Sequence, residues 1–139
     1  MENNYQGIVN LKESLSEALI TRLHETNELS AISLDQLSAD INMDADLARS
    51  IFRDVNELFL YWFNARVSEI FVSLTEDFSK DHEASTREKV LETLMSILEA
   101  FADKRSIFRR IHKWALKDFE FGISITISAY QLCDKILTI

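Results

Sequence analysis

Apolar residues recur at three- and four-residue spacing at Ile8, Leu11, Leu15, Ala18, Leu19 and Leu23, which is the period of one helix face. This predicts a first amphipathic helix over about residues 8–27. After a short connection from Asn27 to Ile32, Ser33-Leu-Asp-Gln36 has the form of a capping box, with the Ser33 hydroxyl and the Gln36 amide each able to satisfy an orphan backbone N–H. It predicts a second helix over 33–40. A turn around Ile41 to Met43 follows, and Asp44 then reads as the N-cap of a short third helix carrying Leu47, Ala48, Ile51 and Phe52. Asp54-Val-Asn-Glu57 is another start. From it a broad apolar band, running from Leu58 through Trp62, Phe63, Val67, Ile70 and Leu74 to Phe78, predicts a long fourth helix that needs cover on more than one side.

Ser79 to Ala84 is a polar connection, and Ser85-Thr-Arg-Glu88 is a second capping box. It opens a fifth helix, about 86–102, whose expected buried face is Val90, Leu91, Leu94, Met95, Ile97, Leu98 and Phe101. Lys104 to Lys117 holds six bases and no acid, with Ile107, Phe108, Ile111, Trp114 and Ala115 at helical spacing: a basic amphipathic sixth helix. The last segment is ambiguous. Phe119, Phe121, Ile123, Ile125, Ile127 and Ala129 alternate with Glu120, Gly122, Ser124, Thr126 and Ser128, a strand period in a chain that is otherwise helical. The expectation is a seventh helix over about 121–137, with an edge strand pairing across a dimer as the alternative.

Composition agrees with an all-α fold of about seven helices. The 139 residues include two glycines and no proline, whereas strands joined by tight turns normally need both. Length and a 47% apolar share fit one domain with a core that needs no disulfide or metal. No apolar run reaches the roughly 18 residues of a membrane-spanning helix, and the N-terminus lacks the parts of a signal peptide, so the reading is a soluble, cytoplasmic protein. Cys133, the single cysteine, lies among Tyr130, Leu132, Ile136 and Leu137 and reads as a buried structural thiol. Charge changes the picture most. Residues 1–103 carry a net −12 and residues 104–139 a net +4, within a total of −8.

Two short helices joined by a tight turn, preceded by one helix and followed by a long one, form a helix-turn-helix arrangement, in which the second short helix is the one offered to the DNA major groove. The run from Ser33 to Phe52 resembles the N-terminal region of TetR-type transcriptional regulators: Ser33, Leu37, Met43 and Phe52 fall on matching positions of that family's pattern without a gap. Glu57-Leu58-Phe59 continues the likeness, which is specific over about residues 8–65 and generic from Arg87 to Phe108. It implies a TetR-like bundle, with a helix-turn-helix unit over residues 1–56 and a dimerisation and ligand-binding part over 57–139, together one continuous domain. It also implies a homodimer that sets two recognition helices in successive major grooves and answers a small effector. The positions carried over as DNA donors are Ser33, Arg49, Ser50 and Arg53.

The sequence departs from the family where DNA would be met. Asn42 replaces the turn glycine, which left-handed backbone tolerates, and Asp44 and Asp46 stand in the first turn of the recognition helix, where carboxylates favour the helix dipole. Residues 8–57 carry a net −6, whereas affinity for a duplex comes from bases that neutralise phosphates. The motif Asp44-x-x-Leu47-Ala48-Arg49-x-x-Phe52, followed by a Trp- and Phe-bearing helix, is also similar to the ubiquinone-biosynthesis lipid-binding proteins, which have a TetR-like fold but do not work by DNA binding. That likeness spans about residues 10–112 and implies an apolar pocket between the later helices, with Phe59, Trp62, Phe63, Phe101, Phe108 and Trp114 as its candidate lining. Equally, aromatics at this spacing are what a bundle core contains. A TetR-like regulator is thus the first expectation, and a carrier of a lipid or other hydrophobic ligand, or a helical partner-binding protein, the alternative. The basic helix, through Arg105, Arg109, Arg110, Lys113 and Lys117, suits either an anionic surface or the chain's own acidic helices. His24, His82 and His112 are scattered, and no nucleophile motif, phosphate loop or metal-ligand spacing occurs, so neither an enzyme nor a cofactor is expected.

Overall fold

The first apolar stripe forms α1 (Glu2–Glu25), which begins earlier than expected because the polar residues ahead of Ile8 carry no period to read. The computed structural model describes residues 2–26 and 31–138, so most of the connection expected at 27–32 lies outside the described residues. Both capping boxes form. Ser33 and Gln36 start α2 (Leu34–Asp40), and Ser85 and Glu88 start α5 (Thr86–Ala100), each with side chain and backbone bonded reciprocally. Asp44 caps α3 (Ala45–Ile51) and Asp54 caps α4 (Val55–Lys80). A single 3-10 turn, Ala102–Lys104, leads to α6 (Arg105–Lys117), and Asp118 caps α7 (Phe119–Leu137) by accepting the Phe121 N–H. The described residues contain seven α-helices and no strand: the fold is all-α.

The strand-like alternation of the last segment is therefore helical, and the geometry explains the pattern. On α7, Phe121, Ile125 and Ile136 turn inward while Phe119, Ile123 and Ile127 turn outward, so a helix with apolar residues on opposite faces imitates a period of two. Cys133 corrects the expectation of a buried thiol. It is exposed, because the inward face of α7 passes through Leu132 and Ile136 and leaves Cys133 to one side.

The core forms where α4 meets α1 on one side and α6 and α7 on the other. Leu15, Leu19 and Leu23 of α1, Leu37 of α2, Leu58 and Phe59 of α4, and Ile107 of α6 are essentially inaccessible to solvent. Phe52 is buried against Tyr61, with ring centroids 5.5 Å apart, and Ala48 is the buried residue by which α3 joins the same cluster. This continuous core includes residues on both sides of position 56. The expected buried face of α5 is corrected in part. Thr93 is buried and Val90, Ile97 and Phe101 are half-buried, but Leu91, Leu94, Met95 and Leu98 are exposed, because only one of the two apolar stripes on this helix meets the bundle.

Polar ties then fix the helices in register. Arg66 donates to Glu13 at 2.7 Å, joining α4 to α1. Arg22 on α1 forms a two-bonded pair with Asp40 on α2, at 2.6 and 2.8 Å. Arg110 of α6 donates to the carbonyls of Leu23 and Thr26, the latter at 2.7 Å, so a guanidinium terminates α1 where its last carbonyls lack helical partners. This base, expected to meet an anionic surface or the chain's own acidic helices, instead binds backbone carbonyls at the end of α1. At the other end of α6, a Cβ on Gly122 would stand 2.7 Å from the Ala115 carbonyl oxygen, so only glycine lets α7 approach α6 this closely.

Two tests follow from these local arrangements. Asn42 has φ 53°, the left-handed region. Asn42→Gly should leave the urea midpoint unchanged or slightly raised, whereas Asn42→Val should cost about 1–2 kcal/mol. For the Arg22–Asp40 pair, the hydrogen bond from Arg22 holds the Asp40 carboxyl below its ordinary value. Its stabilisation is present above the unfolded carboxyl pKa and is lost as pH falls through the lower folded value. Urea midpoints followed from neutral to acid pH should show this small component in the native protein and not in Arg22→Gln.

Candidate functional site

The helix-turn-helix region has the expected local geometry. The turn between α2 and α3 is closed by Met43 N–H bonding to the Ser38 carbonyl at 2.8 Å, with Asn42 supplying the left-handed residue, and α3 exposes most of its surface beyond the buried Ala48. The four DNA donors carried over from the resemblance are all exposed, yet each is engaged inside the chain. Ser33 accepts the Gln36 N–H as a cap, and Ser50 donates to the Leu47 carbonyl at 2.6 Å. Arg49 is bound by two carboxylates, Asp35 of α2 and Asp46 of its own helix. The hydrogen bond to Asp46, followed by the charge of Asp35, raises its pKa above the ordinary guanidinium value. Arg53 lies between Asp54 at 3.3 Å and Glu120 of α7 at 3.2 Å, and the Asp54 charge is the main cause of its own upward shift.

Each exposed pair is worth little to stability. Its effect on recognition is larger, because a phosphate approaching either arginine must displace carboxylates that also repel it. Asp44, the cap of α3, and Glu57, which accepts the Arg53 N–H from the first turn of α4, add to this negative surface.

A second site lies further along α4. Phe59 and Phe63 of α4, Phe108, Ile111, His112 and Ala115 of α6, and Ile125, Ser128, Ala129 and Leu132 of α7 line a partly open cavity of about 230 Å³. The lining is almost wholly apolar, with the His112 ring and the Ser128 hydroxyl as its polar side-chain groups. Three of the six aromatics expected at a pocket, Phe59, Phe63 and Phe108, form this wall. Trp62 and Phe101 stand behind it, with Trp62 5.8 Å from Phe59 and Phe101 5.2 Å from Phe108, centroid to centroid. Trp114 is elsewhere: it lines an open cleft with Ser33, Arg49 and Arg53, between the helix-turn-helix region and the start of α4.

The remaining lining residues escaped the aromatic pattern. Their signal is subtler, since Ala115, Ser128 and Ala129 are small residues at cavity-facing positions of two adjacent helices, where larger side chains would close the space. Next to the cavity, and sharing His112, Ala115 and Ile125 with it, runs an open groove of about 560 Å³ between α6 and α7, bordered by Leu116, Lys117, Phe119, Ile123 and Ile127.

Among the described residues, no cluster of histidine, cysteine and carboxylate side chains is placed to hold a metal ion, and no helix is long and apolar enough to cross a membrane. Compared with protein-family models, curated proteins and solved structures, the chain matches none.

Proposed function

We propose that this protein binds a small hydrophobic ligand, or the apolar tail of a longer one, in the cavity between α4, α6 and α7, on a TetR-like helical scaffold whose helix-turn-helix unit does not engage DNA. The observation that carries this reading is the cavity itself, a partly open, aromatic-walled space of about 230 Å³ whose lining is almost wholly apolar. A dry cavity of about 150 Å³ accepts benzene, so this one has room for roughly ten carbon atoms. It is smaller than the ~300–1,000 Å³ typical of drug-sized ligands. A longer isoprenoid or acyl chain would thus place one end in the cavity and continue along the adjoining groove.

The engaged state of Arg49 and Arg53 supports the second half of the proposal. A DNA-binding regulator is the other reading, and the turn geometry at Asn42 with the exposed outer face of α3 favours it. Dimerisation belongs to that account as well, since one recognition helix per half-site is required.

Titration with the ten-carbon isoprenoid alcohol geraniol, followed by side-chain NMR, should shift the Phe59, Phe63 and Phe108 resonances saturably. Ser128→Phe, which fills the space, should weaken this at least tenfold while helicity is kept. Unchanged affinity in that variant would sink the cavity reading. In parallel, the native protein should show no retention of duplex DNA even at about 50 mM salt. Retention that disappears on Arg49→Ala would instead establish the regulator.

A further inference from the structure

The outward faces of α6 and α7 combine exposed bases with exposed apolar side chains. The exposed side of α6 presents Arg105, Arg109, Lys113 and Lys117 with no acidic residue anywhere on the helix, and Leu116, 75% exposed, stands among these bases. The exposed side of α7 presents Phe119, Ile123, Ile127 and Tyr130 on one stripe, with Phe119 84% exposed and Asp134 as the acidic residue of that stripe. The α6–α7 groove brings the two together, since Leu116 and Lys117 border it with Phe119, Ile123 and Ile127. That same groove shares part of its lining with the apolar cavity.

We propose that this face is a docking surface for an anionic lipid bilayer, and that the groove is the route between bilayer and cavity. Charge complementarity selects this occupant. Apolar side chains interleaved with bases on an outward helix face are the composition that settles into a lipid interface, where each basic residue adds attraction to anionic headgroups. The exposed stripe on α5 is the internal contrast: Leu91, Leu94, Met95 and Leu98 are apolar too, but Arg87 and Lys89 are outnumbered on that helix by Glu88, Glu92 and Glu99, whereas the bases of α6 outnumber Glu120 and Asp134 of α7. The charge division of the chain acts in the same sense, because residues 104–139 carry a net +4 against −12 over the rest, so attraction to a negative surface is concentrated on α6 and α7. The route through the groove rests on the ligand-binding reading above; the docking does not.

The test is flotation of the full chain with vesicles of phosphatidylcholine alone and of phosphatidylcholine containing about one third phosphatidylglycerol. The protein should float with the second and not the first, and added salt should release it. Replacing Lys113 and Lys117 together by Gln should weaken partitioning roughly thirtyfold. Ile123→Ser with Ile127→Ser should abolish it, and Leu91→Ser with Leu98→Ser should leave it unchanged. All six positions are exposed, and an unaltered circular dichroism melt verifies each fold. Ser128→Phe should retain vesicle binding while losing geraniol, which separates failure of the cavity from failure of the surface. The proposal is overturned if the native chain shows no preference for anionic vesicles, or if the α5 variant rather than the α7 variant loses binding. It is likewise overturned if the α7 variant converts a dimer to a monomer in light scattering, which would assign this face to a second copy.

Discussion

Phe59 occupies the point where α4, α6 and α7 converge, 1% exposed, with its ring 5.8 Å from Trp62, 6.2 Å from Phe108 and 6.4 Å from Phe121. These edge and tilted contacts are the geometry aromatic quadrupoles favour, and they add to the burial of a large apolar surface. The neighbouring turns of α4 extend the arrangement. Leu58 meets the same core as the leucines of α1, and Trp62 and Phe63 receive Phe101 from the end of α5. A single long helix thus supplies contacts to both halves of the molecule, and removing the Phe59 ring would leave a void shared by three helices.

The same residue links architecture to chemistry. One side of the ring packs on Phe121 and closes the core; the ring also forms part of the cavity wall with Phe63 and Phe108. The cavity is thus an under-filled extension of the core, arising where the chain places Ala115, Ser128 and Ala129 opposite aromatic rings. At the other end, the helix-turn-helix region is governed by ion pairs. Carboxylates that cap α3 and α4 or pair with Arg49 and Arg53 make its surface internally satisfied, which suits a packing unit better than a polyanion-binding one.

Helix boundaries were legible where a local rule decides them. Ser33, Asp44, Asp54 and Ser85 each announce an N-terminus because a short oxygen-bearing side chain must accept a backbone N–H there. Burial was less legible. Nothing in the spacing of Leu91, Leu94, Met95 and Leu98 distinguishes a stripe facing the bundle from one facing out, since periodicity reports amphipathicity relative to a helix axis and not which neighbour lies opposite. The partners of Arg49, Arg53 and Arg110 were equally hidden, being 14, 67 and 87 residues away or set by tertiary packing. The three phenylalanines of the cavity wall were among the six aromatics that the resemblance named; the small residues that create the space acquire meaning only once α6 and α7 are placed side by side.

The approach of Gly122 to the Ala115 carbonyl sets the shape of that space. Two helices whose backbones meet this closely at one point cannot approach further there, so the contact fixes their spacing at that end of the groove. The helix pair is held like calipers locked at one point: an occupant cannot gain room by spreading α6 and α7 at the glycine, and the width left to it depends on the small side chains Ala115, Ser128 and Ala129.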